Sequence, residues 1–183
     1  MPFNVNEIRS QLTYGGARPN LFQVQFNNPA NSAGDLKVPF LVHAAEIPPA
    51  TLGEVQVPYF GRFIKLAGNR TYSNWTVSIQ NDEDFLIRNA LENWSNKINS
   101  FQGNVNTFGG PEATRYKSTA RVTQLGKAGN ALRTYKFNGI FPVDVSGIGL
   151  SWADNDQIET YQVTFAYDWW DIDDTATGNA GGV

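Results

Sequence analysis

Several short runs of this chain alternate between apolar and polar side chains. Phe22, Val24 and Phe26 share one side of Leu21–Phe26, and Trp75, Val77 and Ile79 mark a second run. Tyr161, Val163, Phe165, Tyr167 and Trp169 take every second position between Thr160 and Asp171. A repeat of two sends neighbouring side chains to opposite faces of a strand, so each run predicts a strand with one buried face. On that pattern Trp169 completes the core row and Trp170 points the other way. Further strands are read over Lys37–Ala45, where Pro39 marks an edge or a bulge, and over Arg62–Leu66. "STARVTQL" and "ALRTYKF", joined by "GKAGN", predict a hairpin. "GIGLSW" (147–152) is read as the strand before the last, with "ADND" as the turn between them.

One segment has the other period. Ile87, Leu91, Trp94, Ile98 and Phe101 form a single stripe within residues 81–101, which predicts one amphipathic helix lying on a sheet. Asn81 is placed to cap its first turn, and Asp82, Glu83 and Asp84 sit where the helix dipole favours negative charge. Val5, Ile8 and Leu12 predict a short helix that "YGGARP" ends. The fold class expected is mainly β, with antiparallel sandwich- or barrel-like sheets and one flanking helix. Residues 1–170 read as one domain, of which 1–16 form an N-terminal arm. Residues 171–183 read as a flexible acidic tail containing glycine.

The run Glu46–Pro58 fits neither period. It holds Pro48, Pro49, Gly53 and Pro58, and reads as a long extended excursion with a short strand inside. Ordered loops of that length usually serve binding. Its residues Glu46, Ile47, Pro48, Pro49, Leu52, Val55, Pro58 and Tyr59 are therefore candidate contact residues.

Composition narrows the function classes. The chain has 183 residues, 41% of them hydrophobic, enough for one domain with a real core. Aromatic residues at 13% and 17 glycines favour β structure with many turns. The absence of cysteine removes disulfides, thiolate metal sites and cysteine nucleophiles. A formal net charge of -3 argues against an obligate nucleic-acid binder. The N-terminus lacks the charged-then-apolar pattern of a secretory signal, and no run reaches the ~18 apolar residues of a spanning helix. Synthesis and folding in a cytoplasm are expected, and three Asn-X-Ser/Thr sequons are read as chance matches.

Catalytic chemistry is sparse. His43, the only histidine, lies in a strand-like run with no nucleophile announced nearby, and reads as structural. Asp82–Asp84 are explained by the helix start, Asp154 and Asp156 by a turn, and Asp171, Asp173 and Asp174 by a solvated chain end. "ADNDQIE" lacks the glycine and glutamate spacing of a calcium loop, and "GIGLSW" lacks the third glycine of a dinucleotide fingerprint. Basic residues are scattered rather than clustered. No enzyme, cofactor or metal is expected. Open strand edges, by contrast, are plentiful, and an assembling subunit pairs such edges with its neighbours.

An ordered set of segments resembles the tail tube proteins of T-even-type contractile-tailed phages. It comprises "ARPNLFQVQF" (17–26), "AAEIPPATLGEVQVPYFGRFIKLAGNRTYSNWTVSIQNDED" (44–84), "YKSTARV" (116–122) and "GIFPVDVSGIGLSWADNDQIETYQVTFAYDWW" (139–170). The resemblance implies a protomer that forms rings of six, with sheets from all six closing into one barrel around a lumen. It implies rings stacked into a tube in the virion, assembled in the host cytoplasm, and a fold related to the haemolysin-coregulated protein of type VI secretion. It implies a tail sheath, a baseplate and a tail terminator as partners, and DNA that crosses the lumen without specific binding. Insertion of the subunit alone into a membrane is not implied. The segment from Glu46 to Tyr59 would then bridge stacked rings. Lys37–Ala45, Val55–Leu66, Thr119–Leu125 and Ala131–Phe137 are candidate barrel strands, with Arg121, Thr123 and Lys136 as candidate lumenal residues. Trp170 is a candidate contact between subunits. Two other readings stay open at this point, a tube protein of a type VI or related injection system and a soluble glycan-binding sandwich.

Overall fold

The computed structural model describes residues 5–12, 15–108 and 115–173. Residues 109–114 and the tail from Asp174 onward lie outside the described residues. The strands are β1 (Phe22–Phe26), β2 (Val42–Ala45), β3 (Thr51–Tyr59), β4 (Arg62–Thr71), β5 (Trp75–Gln80), β6 (Ser118–Leu125), β7 (Ala131–Val145), β8 (Thr160–Ala166) and β9 (Trp169–Asp173). Helix α1 spans Val5–Gln11, a single turn α2 spans Val38–Leu41, and α3 spans Leu86–Ile98.

Seven strands form one antiparallel sheet in the order β1-β6-β7-β8-β5-β2, with β9 also on β7. Strand β7 organises it. Its first part, Thr134–Asn138, pairs with β9, and its second part, Phe141–Val145, pairs with β8. Gly139 sits between the two parts at φ 71. A Cβ there would lie 2.1 Å from Asp168 Oδ2, so only glycine lets the chain turn with Asp168 against it. The sheet curls so far that Phe26 of β1 meets Phe165 of β8, ring centroids 5.6 Å apart.

The curl encloses an aromatic core. Trp75 stacks on Phe137 at 4.4 Å, and Phe165 lies 5.8 Å from Trp75 and 6.4 Å from Trp94. Val24, Val77, Ile79, Val122, Ile140, Tyr161 and Val163 fill the space around these rings. Helix α3 covers one side through Ile87, Ala90, Leu91 and Trp94. Trp94 Nε1 donates to the Tyr116 carbonyl at 2.8 Å, so its one polar atom is satisfied. Buried Asn28 donates to the Ala90 carbonyl at 2.8 Å and ties the loop after β1 to this helix.

The structure departs from the sequence expectations in several places. Lys37–Ala45 is not one strand: its first part is the turn α2, with Pro39 in the first helical positions, where its missing N–H costs nothing. Helix α3 starts later than predicted. Phe85 precedes it at φ 50, and Asn81 reaches Glu159 instead of capping it. Asp84 accepts from the Leu86 N–H at 3.0 Å and also holds Lys37, so the acidic run is partly used by a tertiary ion pair. Lys37 together with that N–H keeps the Asp84 carboxyl below its ordinary range. Phe101 lies past the helix end and is exposed.

"GIGLSW" forms no strand; the chain between β7 and β8 is irregular. The last aromatic row also breaks. After Tyr167 the chain leaves β8, Asp168 N–H donates to the Asn138 carbonyl, and β9 begins on the edge of β7. That step shifts the alternation by one residue. Trp169 is therefore half exposed, while Trp170 packs against the core, the reverse of the expected pair. Strand β9 also extends to Asp173, beyond the expected domain end at residue 170.

The core makes a direct demand on Phe165, which is fully buried and touches three other rings. Phe165→Ala should cost about 3–5 kcal/mol of stability, from lost burial plus the cavity left behind. Urea unfolding followed by tryptophan fluorescence measures it, and a loss below about 1 kcal/mol would contradict this account of the core.

Candidate assembly surfaces

Strands β3 and β4 stand apart as a separate two-stranded sheet. Tyr59 pairs with Arg62, so the turn is the two residues Phe60 and Gly61, at φ 42 and 78. Two-residue turns with both φ angles positive match the twist of a hairpin, and glycine suits the second position. Phenylalanine at the first is unusual and carries some strain. Its ring is 90% exposed and packs edge-on to Tyr59 at 4.6 Å.

Register decides the hairpin's faces. Val55 opposes Leu66 and Val57 opposes Ile64, so these four share one face. Glu54 opposes Ala67 and Gln56 opposes Lys65 on the other. There Lys65 bridges to Glu54 at 3.0 Å and Gln56 donates to the same carboxylate at 3.0 Å. The Gln56 amide, then Lys65, hold Glu54 below the ordinary carboxylate range. The hairpin is amphipathic, yet Val55, Val57, Ile64 and Leu66 are all exposed. A lone two-stranded hairpin is marginal in water, and each such side chain gains roughly 1.5–3 kcal/mol when fully buried.

The hairpin's root is fixed. Trp75 Nε1 donates to the Glu46 carbonyl at 2.8 Å, and Trp170 Nε1 donates to the Pro49 carbonyl at 3.1 Å. Pro48 between them is buried. A bulge follows, where the register slips between Leu52 and Glu54. The expected excursion is thus the root and one strand of a long hairpin. Of the candidate contact residues, Leu52, Val55, Pro58 and Tyr59 lie on β3, whereas Glu46, Ile47, Pro48 and Pro49 form the root. Sequence reading did not name Val57, Phe60, Phe63, Ile64 and Leu66 as contact residues; it placed them in the candidate barrel strand Val55–Leu66, whereas they form the hairpin of a separate two-stranded sheet. The available signal was the X-Gly pair at Phe60–Gly61 between two extended runs.

A second surface lies on β1, β6, β7 and β9. Gln23 opposes Thr123, Thr123 opposes Thr134, and Thr134 opposes Asp173; one step along, Gln25, Arg121, Lys136 and Asp171 are likewise in register. These rows share one face, so Arg121, Thr123 and Lys136 are brought together as expected. Thr123 and Thr134 hydroxyls are 3.1 Å apart, and Arg121 Nε donates to Asp173 at 3.1 Å. Asp171 and Asp173 therefore belong to a strand rather than to a solvated end. The opposite face of the same strands carries Val24, Val122, Phe137 and Trp170 toward the core.

His43 lies exposed on β2, the outer strand at the other end of the sheet. Among the described residues no group of three His, Asp or Glu side chains gathers as for a metal ion, and no helix is long and apolar enough to cross a membrane. Helix α1 and the residue after it expose Val5, Ile8 and Leu12, and the loop before β8 exposes Leu150, Trp152 and Ile158. Among the described residues, exposed apolar surface is therefore the prominent feature.

Residues 17–173 match the family model described as phage tail tube protein. Tail tube protein gp19 of Enterobacteria phage T4 is 33% identical over 156 residues, which is 85% of this chain and 91% of gp19. Among solved structures, the anti-feeding prophage cap, a tube-terminating cap, gives a TM-score of 0.62 at 18% identity, covering 86% of this chain and 90% of that one. A chain of the PVC sheath–tube complex, from an extracellular contractile injection system in its extended state, gives 0.58 at 16% identity, covering 93% and 97%. These two likenesses concern the fold. With the family match and the gp19 identity beside them, the chain belongs to the phage tail tube protein family and is a structural subunit of a virion's tail tube.

Proposed function

We propose that six copies of this chain close into a ring, that rings stack into a hollow tube inside a contractile sheath, and that DNA leaves the virion through its lumen. The observation that carries this reading is the β3–β4 hairpin, whose apolar face over Val55, Val57, Ile64 and Leu66 is left uncovered by its own chain. A second copy is the fitting occupant, because repetition supplies the same cover to every hairpin along a tube. The hairpin reaches into the adjacent ring, led by Tyr59 and Phe60, and its root residues Glu46, Ile47, Pro48 and Pro49 set its direction. Proline and the two tryptophan hydrogen bonds limit the freedom lost on docking.

The polar face of β1, β6, β7 and β9 is the proposed lumenal wall, with Arg121, Thr123 and Lys136 on it. Closing the sheets of six protomers into a barrel removes their edges, which an isolated protomer leaves open at β1 and β2. The sheath lies outside the tube, and a baseplate and a terminator cap the ends. The sheath and cap parallel the assemblies from which the two solved relatives come. Trp170 takes part indirectly: its indole holds Pro49, so it positions the hairpin that meets the neighbouring subunit.

Three measurements test the reading. Val57→Lys with Ile64→Lys puts charge on the apolar hairpin face without touching the core. Rings should persist in negative-stain images while tubes disappear, and normal tubes from this variant would end the stacking role. Trp170→Ala should lower tube yield at a given protein concentration more than it lowers the unfolding midpoint; unchanged assembly by sedimentation would refute the positioning role. Lys136→Cys should react freely with a bulky maleimide in the protomer and be protected in tubes. Rapid labelling of intact tubes would exclude a lumenal wall.

A further inference from the structure

The polar wall carries its own counter-charges, and they come from one short stretch of chain. Lys117 Nζ bridges Asp168 at 2.7 Å, and Arg121 Nε bridges Asp173 at 3.1 Å. Lys136 lies directly opposite Asp171 in the β7–β9 register, and Asp171 also accepts from Asn138 Nδ2 at 3.3 Å. Lys117 and Arg121 are thus ion-paired with carboxylates of residues 168–173, and Lys136 has the Asp171 carboxylate directly opposite it in the ladder. Arg133, the other cation of β7, stands over the Tyr135 ring at 5.5 Å, on the core-side face of the strand. The neighbouring positions Gln23, Gln25, Thr119, Thr123 and Asn138 are short and neutral.

We propose that Asp168, Asp171 and Asp173 neutralise this wall, so that a polyanion moving along it finds no cation to hold it. The geometry is built rather than incidental. Gly139 is needed to admit Asp168, since any Cβ there would meet its carboxylate. Strand β9 sets Asp171 in the row of Lys136 and Arg121 and Asp173 in the adjacent row of Thr134, from where it meets Arg121 diagonally. Each phosphate held by a cation releases counterions and adds affinity, so unmasked cations repeated around every ring would retain DNA. The use of this neutrality in ejection rests on the lumenal placement proposed above; the neutralisation itself does not.

The test uses the full chain as protomer and a fluorescein-labelled single-stranded 20-mer, read by anisotropy at low salt. Asp171→Asn with Asp173→Asn should bind the oligonucleotide at least about fivefold tighter than the unaltered chain, and the gain should vanish at high salt. Adding Arg121→Gln and Lys136→Gln to that variant should return binding to the starting level. Equal affinity of the double variant and the unaltered chain overturns the proposal. Where circular dichroism shows the double variant unfolded, Asp171→Asn alone, at an exposed site, should still bind more tightly, and its failure to do so is equally decisive against it. The two readings fail separately. Tighter binding by the double variant, with Lys136→Cys labelled freely in tubes, keeps the neutralisation and removes the lumenal placement. Unchanged binding with a protected label does the reverse.

Discussion

The contact between the two halves of the curled sheet, made by aromatic rings, is the constraint on which the rest depends. Phe165 of β8 touches Phe26 of β1, and Trp75 of β5 stacks on Phe137 of β7. Strands that are not neighbours in the sheet order are thereby drawn together. Large rings suit this task because each buries much surface while losing few rotamers. Once the core faces of β1, β6 and β7 are committed inward, strict alternation sends Gln25, Arg121 and Lys136 outward together. The polar wall is the complement of the core.

The same commitment leaves the β3–β4 hairpin without an internal partner. The core is made by the seven-stranded sheet with α2 and α3, and the hairpin's apolar face stays outside it. A monomeric protein would be expected to blunt such a surface with charge. Here the charges beside the valine, isoleucine and leucine rows lie on the other face, where Glu54 and Lys65 pair with each other, and Arg62 stands on the apolar face only at its tip, opposite Tyr59. That division makes sense for an element with two different neighbours, one apolar and one wet. The root residues between the two tryptophan hydrogen bonds then hold the hairpin's direction, so that little freedom is spent on docking.

How far the sequence foretold this depends on whether a segment answers to one face or two. Strands β1, β5 and β8 each have a single buried face, and their period of two is clean. Val38–Leu41 was misread because a short continuous apolar run has no period, and Pro39 fits a first helical turn as well as a strand edge. The start of α3 was misread because Asp84 serves a lysine 47 positions earlier in the chain, a tertiary partner invisible to local patterning. The hairpin was divided into a loop and a strand because its amphipathicity exists only across the pair. Val57 acquires its meaning opposite Ile64, not beside Gln56. Trp169 and Trp170 exchanged roles because one irregular residue, Asp168, shifts the alternation, and a shift of one moves every later side chain to the other face.

Asp168 also links the two proposed surfaces. It interrupts the aromatic row, it accepts Lys117, and its position is allowed only by Gly139. The shift it causes turns Trp170 toward the core and Pro49, at the hairpin's root, and turns Asp171 and Asp173 toward the polar wall. Had the alternation continued from β8, the two carboxylates would face the core, where burying an unpaired charge is prohibitive. The break is therefore what permits a single strand to anchor the hairpin on one side and to balance the wall's cations on the other.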